Sequence, residues 1–156
     1  MTHKIVGNDH ARAMAWAKDK WPDMAPDHDW GPFTTLHLER GLDITAVVVY
    51  NQYILATNID IHVATLDRGR WLNRSFLHAV FAYPFEQLGV RRVTARIGAN
   101  NPKARKFLES LGFTHEGTIR QGWEADVDLL VFGLLKNECR FLRDEYSGKT
   151  VCPRAA

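Results

Sequence analysis

Residues 91–120, RRVTARIGANNPKARKFLESLGFTHEGTIR, contain a strand, a capped helix and a returning strand, and the rest of the chain can be placed around them. Val93, Ala95 and Ile97 alternate with Thr94 and Arg96, the two-residue period of a strand with one buried face. Asn101 can cap a helix by accepting a backbone N–H, and Pro102 loses nothing at the first helical position. Ala104, Phe107, Leu108 and Leu111 then form an apolar stripe, leaving Lys103, Arg105, Lys106 and Glu109 outward. Gly112 can take the left-handed conformation that closes the helix.

Upstream, Asn8 or Asp9 can cap a first helix through about Trp21, and the segment WPDMAPDHDWGPF, residues 21–33, rich in Asp, Pro and Gly, reads as a surface loop. Thr34 to Leu38 and Ile44 to Tyr50 read as antiparallel strands, the second apolar on both faces and therefore central. Ile54 to Thr65 reads as the next strand, with Ile59, Ile61 and Val63 on one face and Asp60, His62 and Ala64 on the other. A helix follows from about Trp71 to Leu88, with a kink or early end at Pro84. Downstream, 121–126 reads as a loop, Val127 to Leu134 as a returning strand, and Asn137 to Leu142 as a short helix. The sum is an α/β (α+β) chain: a twisted, mostly antiparallel mixed sheet with helices on both faces.

The 156 residues suit one core, expected over 1–146, with 147–156 a flexible tail. Twenty basic against 18 acidic residues give a net charge of +2, so bulk electrostatics do not make this a nucleic-acid binder. Two cysteines, no secretory leader and no long apolar span point to reducing cytoplasm and away from the membrane. His28, His37, His62, His78 and His115 show no metal-ligand spacing with the cysteines, so no metal is expected.

The run Asn101-x-x-Ala104-x-x-x-x-Glu109-x-Leu111-Gly112-Phe113, followed by Glu116-Gly117 and Arg120, resembles the C-terminal signature of GNAT-fold acyl-CoA N-acyltransferases. Within that family it is most similar to the branch that acetylates ribosomal-protein N termini. The YPF, QLG and ECRFL segments resemble a phage- and prophage-encoded subgroup. The likeness extends from about Ile44 to Leu142. It implies acetyl-CoA as co-substrate and an amine acceptor, either a small molecule or a protein N terminus, and it makes a homodimer an expectation.

A basic loop before a helix N terminus favours an anion, and here that loop is Arg68-Gly69-Arg70-Trp71-Leu72-Asn73-Arg74. By resemblance it would hold the CoA pyrophosphate, with Arg68 matching the first motif position while Trp71 and Asn73 stand where small residues belong. The resemblance further implies that the helix begun by Asn101, with Lys103, Ala104 and Lys106, flanks the pantetheine arm and 3′-phosphate. It also implies that a backbone N–H near Val63 to Thr65 is the oxyanion donor. The alternative for each basic cluster is ordinary solvation.

Direct attack of an amine on a thioester needs a proton acceptor, and an imidazole with a pKa of about 6.5 suits that work near neutrality. His62 is the candidate base, with Asp60 about 7 Å along the same strand face to hold or charge it. The alternative is a structural histidine; Glu116 and Glu39 are further candidates. Leu108 occupies the position of the tyrosine acid of many GNAT enzymes, so no acid comes from there, and Tyr83 is the possible substitute. Trp16, Trp21 and Trp30 could line an acceptor groove, and Asp23, Asp27 and Asp29 would favour a cationic amine. Two rivals remain. One is acylation of nucleic-acid bases on the same fold, with Arg91, Arg92, Arg96 and Arg105 as a phosphate track. The other is a non-catalytic GNAT-like binding module.

Overall fold

The helix at the centre of the sequence forms as its residues dictate. In the computed structural model, which describes residues 2–21, 27–66 and 73–143, Pro102–Leu111 is helical (α3). Asn101 Oδ1 accepts the Ala104 N–H at 3.0 Å, and Gly112 closes the helix at φ +99°, a conformation that costs glycine little. The other elements are β1 (His3–Val6), α1 (His10–Asp19), β2 (Thr34–Arg40), β3 (Asp43–Ile54), β4 (Asn58–Thr65), α2 (Arg74–Ala82), β5 (Arg92–Gly98), β6 (Thr114–Glu124) and β7 (Val127–Leu135).

The strands make one seven-stranded sheet in the order β1-β2-β3-β4-β5-β7-β6. Every neighbouring pair is antiparallel except β4 and β5. That parallel pair needs a crossover, which α2 supplies. Apolar residues of α2 and α3, including Phe76, Phe81, Leu108 and Leu111, join Val48, Ile59, Ile61, Val93 and Phe132 in the main core. Ala13, Met14 and Ala17 of α1 cover Val47, Val49 and Ala64, which the strand alternation sends to the opposite face. Among the described residues no helix is long and apolar enough to cross a membrane.

Five sequence expectations need correction. The short edge strand β1 was not anticipated, because four residues, HKIV, alternate too briefly to stand out. The expected strand Ile54 to Thr65 is the end of β3, a turn and β4, with Ala56 at φ +53° turning the chain where no Gly or Pro marks it. Asn73 lies just before α2 as its cap, its Oδ1 accepting from Phe76 N at 2.8 Å, so the helix begins at Arg74 and not near Trp71. The expected loop 121–126 is mostly β6, which runs to Glu124 with nearly every residue exposed and so lacks a buried-face alternation. The short helix expected from Asn137 to Leu142 is two single 3₁₀ turns, Lys136–Glu138 and Arg140–Leu142.

At Pro84 the α-helical pattern gives way to a π turn over Tyr83–Gln87, closed by the Leu88 N–H on the Tyr83 oxygen at 3.0 Å. Proline has no N–H for the α-helical bond, and widening the turn keeps the chain coiled past it. The expected tail 147–156 lies outside the described residues.

Candidate functional site

Trp30, in a segment expected to be surface loop, is 5% exposed and packs on the α1 face of the sheet. Its ring stacks on Trp21 at 5.3 Å and meets the His62 ring edge-on at 4.9 Å, with His28 on it at 5.0 Å. His62, on β4, is partly buried, and its Nε2 lies 2.8 Å from Oδ1 of Asn51 on β3. Burial, followed by the nearby His28 and Arg96, lowers the His62 pKa to about 4. The imidazole is therefore neutral at neutral pH, and the same burial makes it a weaker base than a free imidazole. Nothing in the sequence singled out Asn51, which reaches His62 from the neighbouring strand, whereas Trp30, expected with Trp16 and Trp21 to line an acceptor groove, meets the His62 ring.

Asp60 does not hold His62. Its carboxylate pairs with Arg96 Nε at 3.0 Å and accepts from Asn58 Nδ2 at 3.0 Å. Asp60 is 3% exposed, and burial raises its pKa although Asn58 and Arg96 pull it down. From Asn58 the bonds run on: Thr94 Oγ1 donates to Asn58 Oδ1 at 2.6 Å, Arg92 donates to Thr94 Oγ1, and Arg92 meets Glu116 at 2.6 Å. Gly133 makes room for that last pair, because a Cβ there would lie 2.4 Å from Glu116 Oε1 and 2.5 Å from the Arg92 guanidinium. The expected His62–Asp60 couple is thus two separate arrangements on one strand face.

Beside His62 the sheet opens. β4 and β5 stay in register only at Asn58↔Arg92, Ile59↔Val93 and Asp60↔Thr94, yet β4 continues to Thr65 and β5 to Gly98. The facing strand edges past Asp60 and Thr94 have left the shared ladder, and Thr65 Oγ1 is buried with no hydrogen-bond partner among the described residues. Such unpaired polar groups fit an extended, amide-bearing ligand such as the pantetheine arm of acyl-CoA.

The α2 N terminus presents Asn73 and Arg74 to a cavity of about 280 Å³ shared with His3, Ile5, Leu38 and Ser75. Arg68, Gly69, Arg70, Trp71 and Leu72 lie outside the described residues, as does Asp23. Val63 is partly buried. On α3, Lys103 and Lys106 are exposed, while Ala104 donates its backbone N–H to Asn101.

The other candidates are engaged elsewhere. Glu39 lies under α1 with Arg12 and His37; burial opposes its charge, but hydrogen bonds from Arg12 and His37 hold its pKa below the ordinary value. Tyr83 is buried against Tyr50, with Thr34 Oγ1 3.0 Å from its hydroxyl, and Leu108 is core. Arg92, Arg96 and Arg105 pair with Glu116, Asp60 and Glu109, which leaves little of the phosphate track. Among the described residues no group of three His, Cys, Asp or Glu could hold a metal ion.

Acid should weaken this fold through His62. Unfolded, the ring takes up a proton below pH 6.5; folded, it resists until about 4. Stability is therefore present above pH 6.5 and lost as pH falls toward 4, by about 2 kcal/mol between pH 7 and pH 5 for this group. His37, whose pKa burial also lowers, adds to the loss, and the raised Asp60 works against it. Urea titrations at the two pH values check this: His62→Gln should flatten the dependence, and an unchanged slope would refute the assignment.

A family model described as "Acetyltransferase (GNAT) domain" matches residues 2–114. Among solved structures, the dodecameric spermidine N-acetyltransferase from Vibrio cholerae is similar at TM-score 0.70 and 12% identity, over 86% of this chain and 94% of that one. A putative GNAT-family acetyltransferase from Desulfovibrio desulfuricans is similar at TM-score 0.68 and 14% identity, over 86% and 99%. A probable acetyltransferase is similar at 0.65 and 20%, over 87% and 94%. At these identities the likeness is one of fold. No curated protein sequence matches the chain. With its sheet order, the opening between β4 and β5 and a family match over more than half its length, the chain belongs to the GNAT acetyltransferases, acyl-CoA-dependent enzymes that transfer an acetyl group to an acceptor.

Proposed function

We propose that this protein transfers acetyl from acetyl-CoA to a primary amine by direct attack, with His62 receiving the proton that the amine loses. The observation that carries the reading is the position of His62 beside the opening between β4 and β5, in an aromatic, partly buried setting that keeps it unprotonated. Acetyl-CoA supplies the thioester carbonyl carbon. The amine nitrogen forms its bond to that carbon, the carbon–sulfur bond breaks with its electron pair going to sulfur, and the ammonium proton passes to His62. Because a thiol pKa is about 8.5, the thiolate can leave without the acid that Leu108 does not provide. Backbone N–H groups from Val63 to Thr65 are the donors for the developing oxyanion. Arg68 to Arg74 and the α3 side, with Asn101, Lys103, Ala104 and Lys106, hold the CoA moiety in this reading, through backbone groups where Asn73 and Asn101 spend their side chains on caps.

Asp27 and Asp29, on the segment that carries Trp30, favour a cationic acceptor. Spermidine, the acceptor named for the Vibrio cholerae neighbour, and a peptide N terminus, suggested by the resemblance to the ribosomal-protein branch, are therefore the first two amines to assay. The reading places the reaction in the cytoplasm.

Calorimetric titration with acetyl-CoA and with CoA tests it. Both should bind wild type, and Arg70→Ala should weaken binding roughly 10- to 100-fold, the worth of one charged hydrogen bond. Absence of binding in every arm would sink acetyl transfer in favour of a non-catalytic module.

A further inference from the structure

Which nitrogen of His62 accepts the proton is decided by a residue on the neighbouring strand. Asn51 is 6% exposed and its amide makes two contacts: Nδ2 donates to the Trp30 carbonyl oxygen at 3.2 Å, and Oδ1 lies 2.8 Å from His62 Nε2. A backbone carbonyl only accepts, so the amide must turn its NH₂ toward Trp30. Flipping the amide would set two oxygens against each other. Oδ1 then faces the imidazole, and since it too only accepts, Nε2 must carry the hydrogen. The lone pair of the neutral ring is left on Nδ1, the nitrogen that does not face Asn51.

We propose that Asn51 is the positioning residue of this site, locking His62 as the Nε2–H tautomer so that Nδ1 receives the ammonium proton. The proposal rests on the reading of His62 as base. The surroundings leave Asn51 this task alone. Asp60, its register partner on β4, is committed to Arg96 and Asn58; His28 lies across the Trp30 ring; and α1 packs Ala13, Met14, Ala17 and the partly buried Trp16 against the cluster. Because an uncharged amide holds the ring, no described residue beside Nε2 stabilises an imidazolium, and the proton can pass on to solvent after each turnover.

Long-range ¹H–¹⁵N spectra of the imidazoles test this directly, with the His62 signals assigned by their loss in His62→Gln. Wild type at pH 7 should show a neutral ring protonated on Nε2. Asn51→Leu should release a mixture of tautomers and lower kcat about 10- to 100-fold, as loss of an orienting partner does, with KM for acetyl-CoA little changed. Asn51→Asp restores an oxygen acceptor, so it should recover the Nε2–H tautomer and move the acid limb of the pH–rate profile upward. A wild-type ring protonated on Nδ1 overturns the proposal whatever the rates, and so does an unchanged tautomer in Asn51→Leu. Full activity in His62→Gln overturns the base reading and the catalytic part of the proposal with it. The spectra tell that failure apart from a failure of Asn51.

Discussion

Phe81→Ala is expected to lower the unfolding free energy by about 3–5 kcal/mol, the usual cost of emptying a buried phenylalanine site. Phe81 is fully buried, and its ring faces three others: Phe141 at 5.2 Å and nearly parallel, Phe113 at 6.2 Å and Phe85 at 6.4 Å. These rings belong to α2, the π turn, the two-residue link between α3 and β6, and the last 3₁₀ turn. The cavity would therefore loosen four segments that no strand pairing joins. Against a typical total stability of about 5–15 kcal/mol, such a loss leaves a marginal protein. Denaturant titration of the purified variant measures it, and a loss below about 1 kcal/mol would show that the rings do not act as one packed unit.

His62→Gln should lower kcat roughly 10²- to 10⁴-fold, the range for removing a general base. Glutamine keeps an N–H donor for Asn51 Oδ1, so the fold and the affinity for acetyl-CoA should survive the change. Thiol release in the presence of spermidine or a peptide amine gives the rate, and calorimetry of the same preparation confirms that cofactor binding is intact. A variant that binds acetyl-CoA normally and turns over at the wild-type rate would remove His62 from the chemistry.

The stretch from Arg92 to Phe113 was legible because each local signal agrees with the others: alternation in β5, an asparagine cap, an apolar stripe and a closing glycine. Ordering by tertiary context was not. The turn at Ala56 uses a left-handed alanine that no sequence rule would place there, and β6 has no buried face to reveal it. The site divides the same way. His62 could be picked out from its strand face and its chemistry, but its partner could not: spacing suggested Asp60, while the sheet sets Asn51 diagonally beside it and gives Asp60 to Arg96. Partner choice depends on which strand lies next door and where a loop residue such as Trp30 folds back. One chain read in order does not show that.

The three-residue contact between β4 and β5 makes a seam. On one side lie β1 to β4, on the other β5, β7 and β6, with the core under α2 spanning both. A ligand laid along the open part of the seam would add backbone hydrogen bonds to both halves and act as the missing strand of the sheet. Its binding free energy is then also a free energy of holding the halves together, so cofactor affinity and resistance to unfolding rise and fall as one quantity.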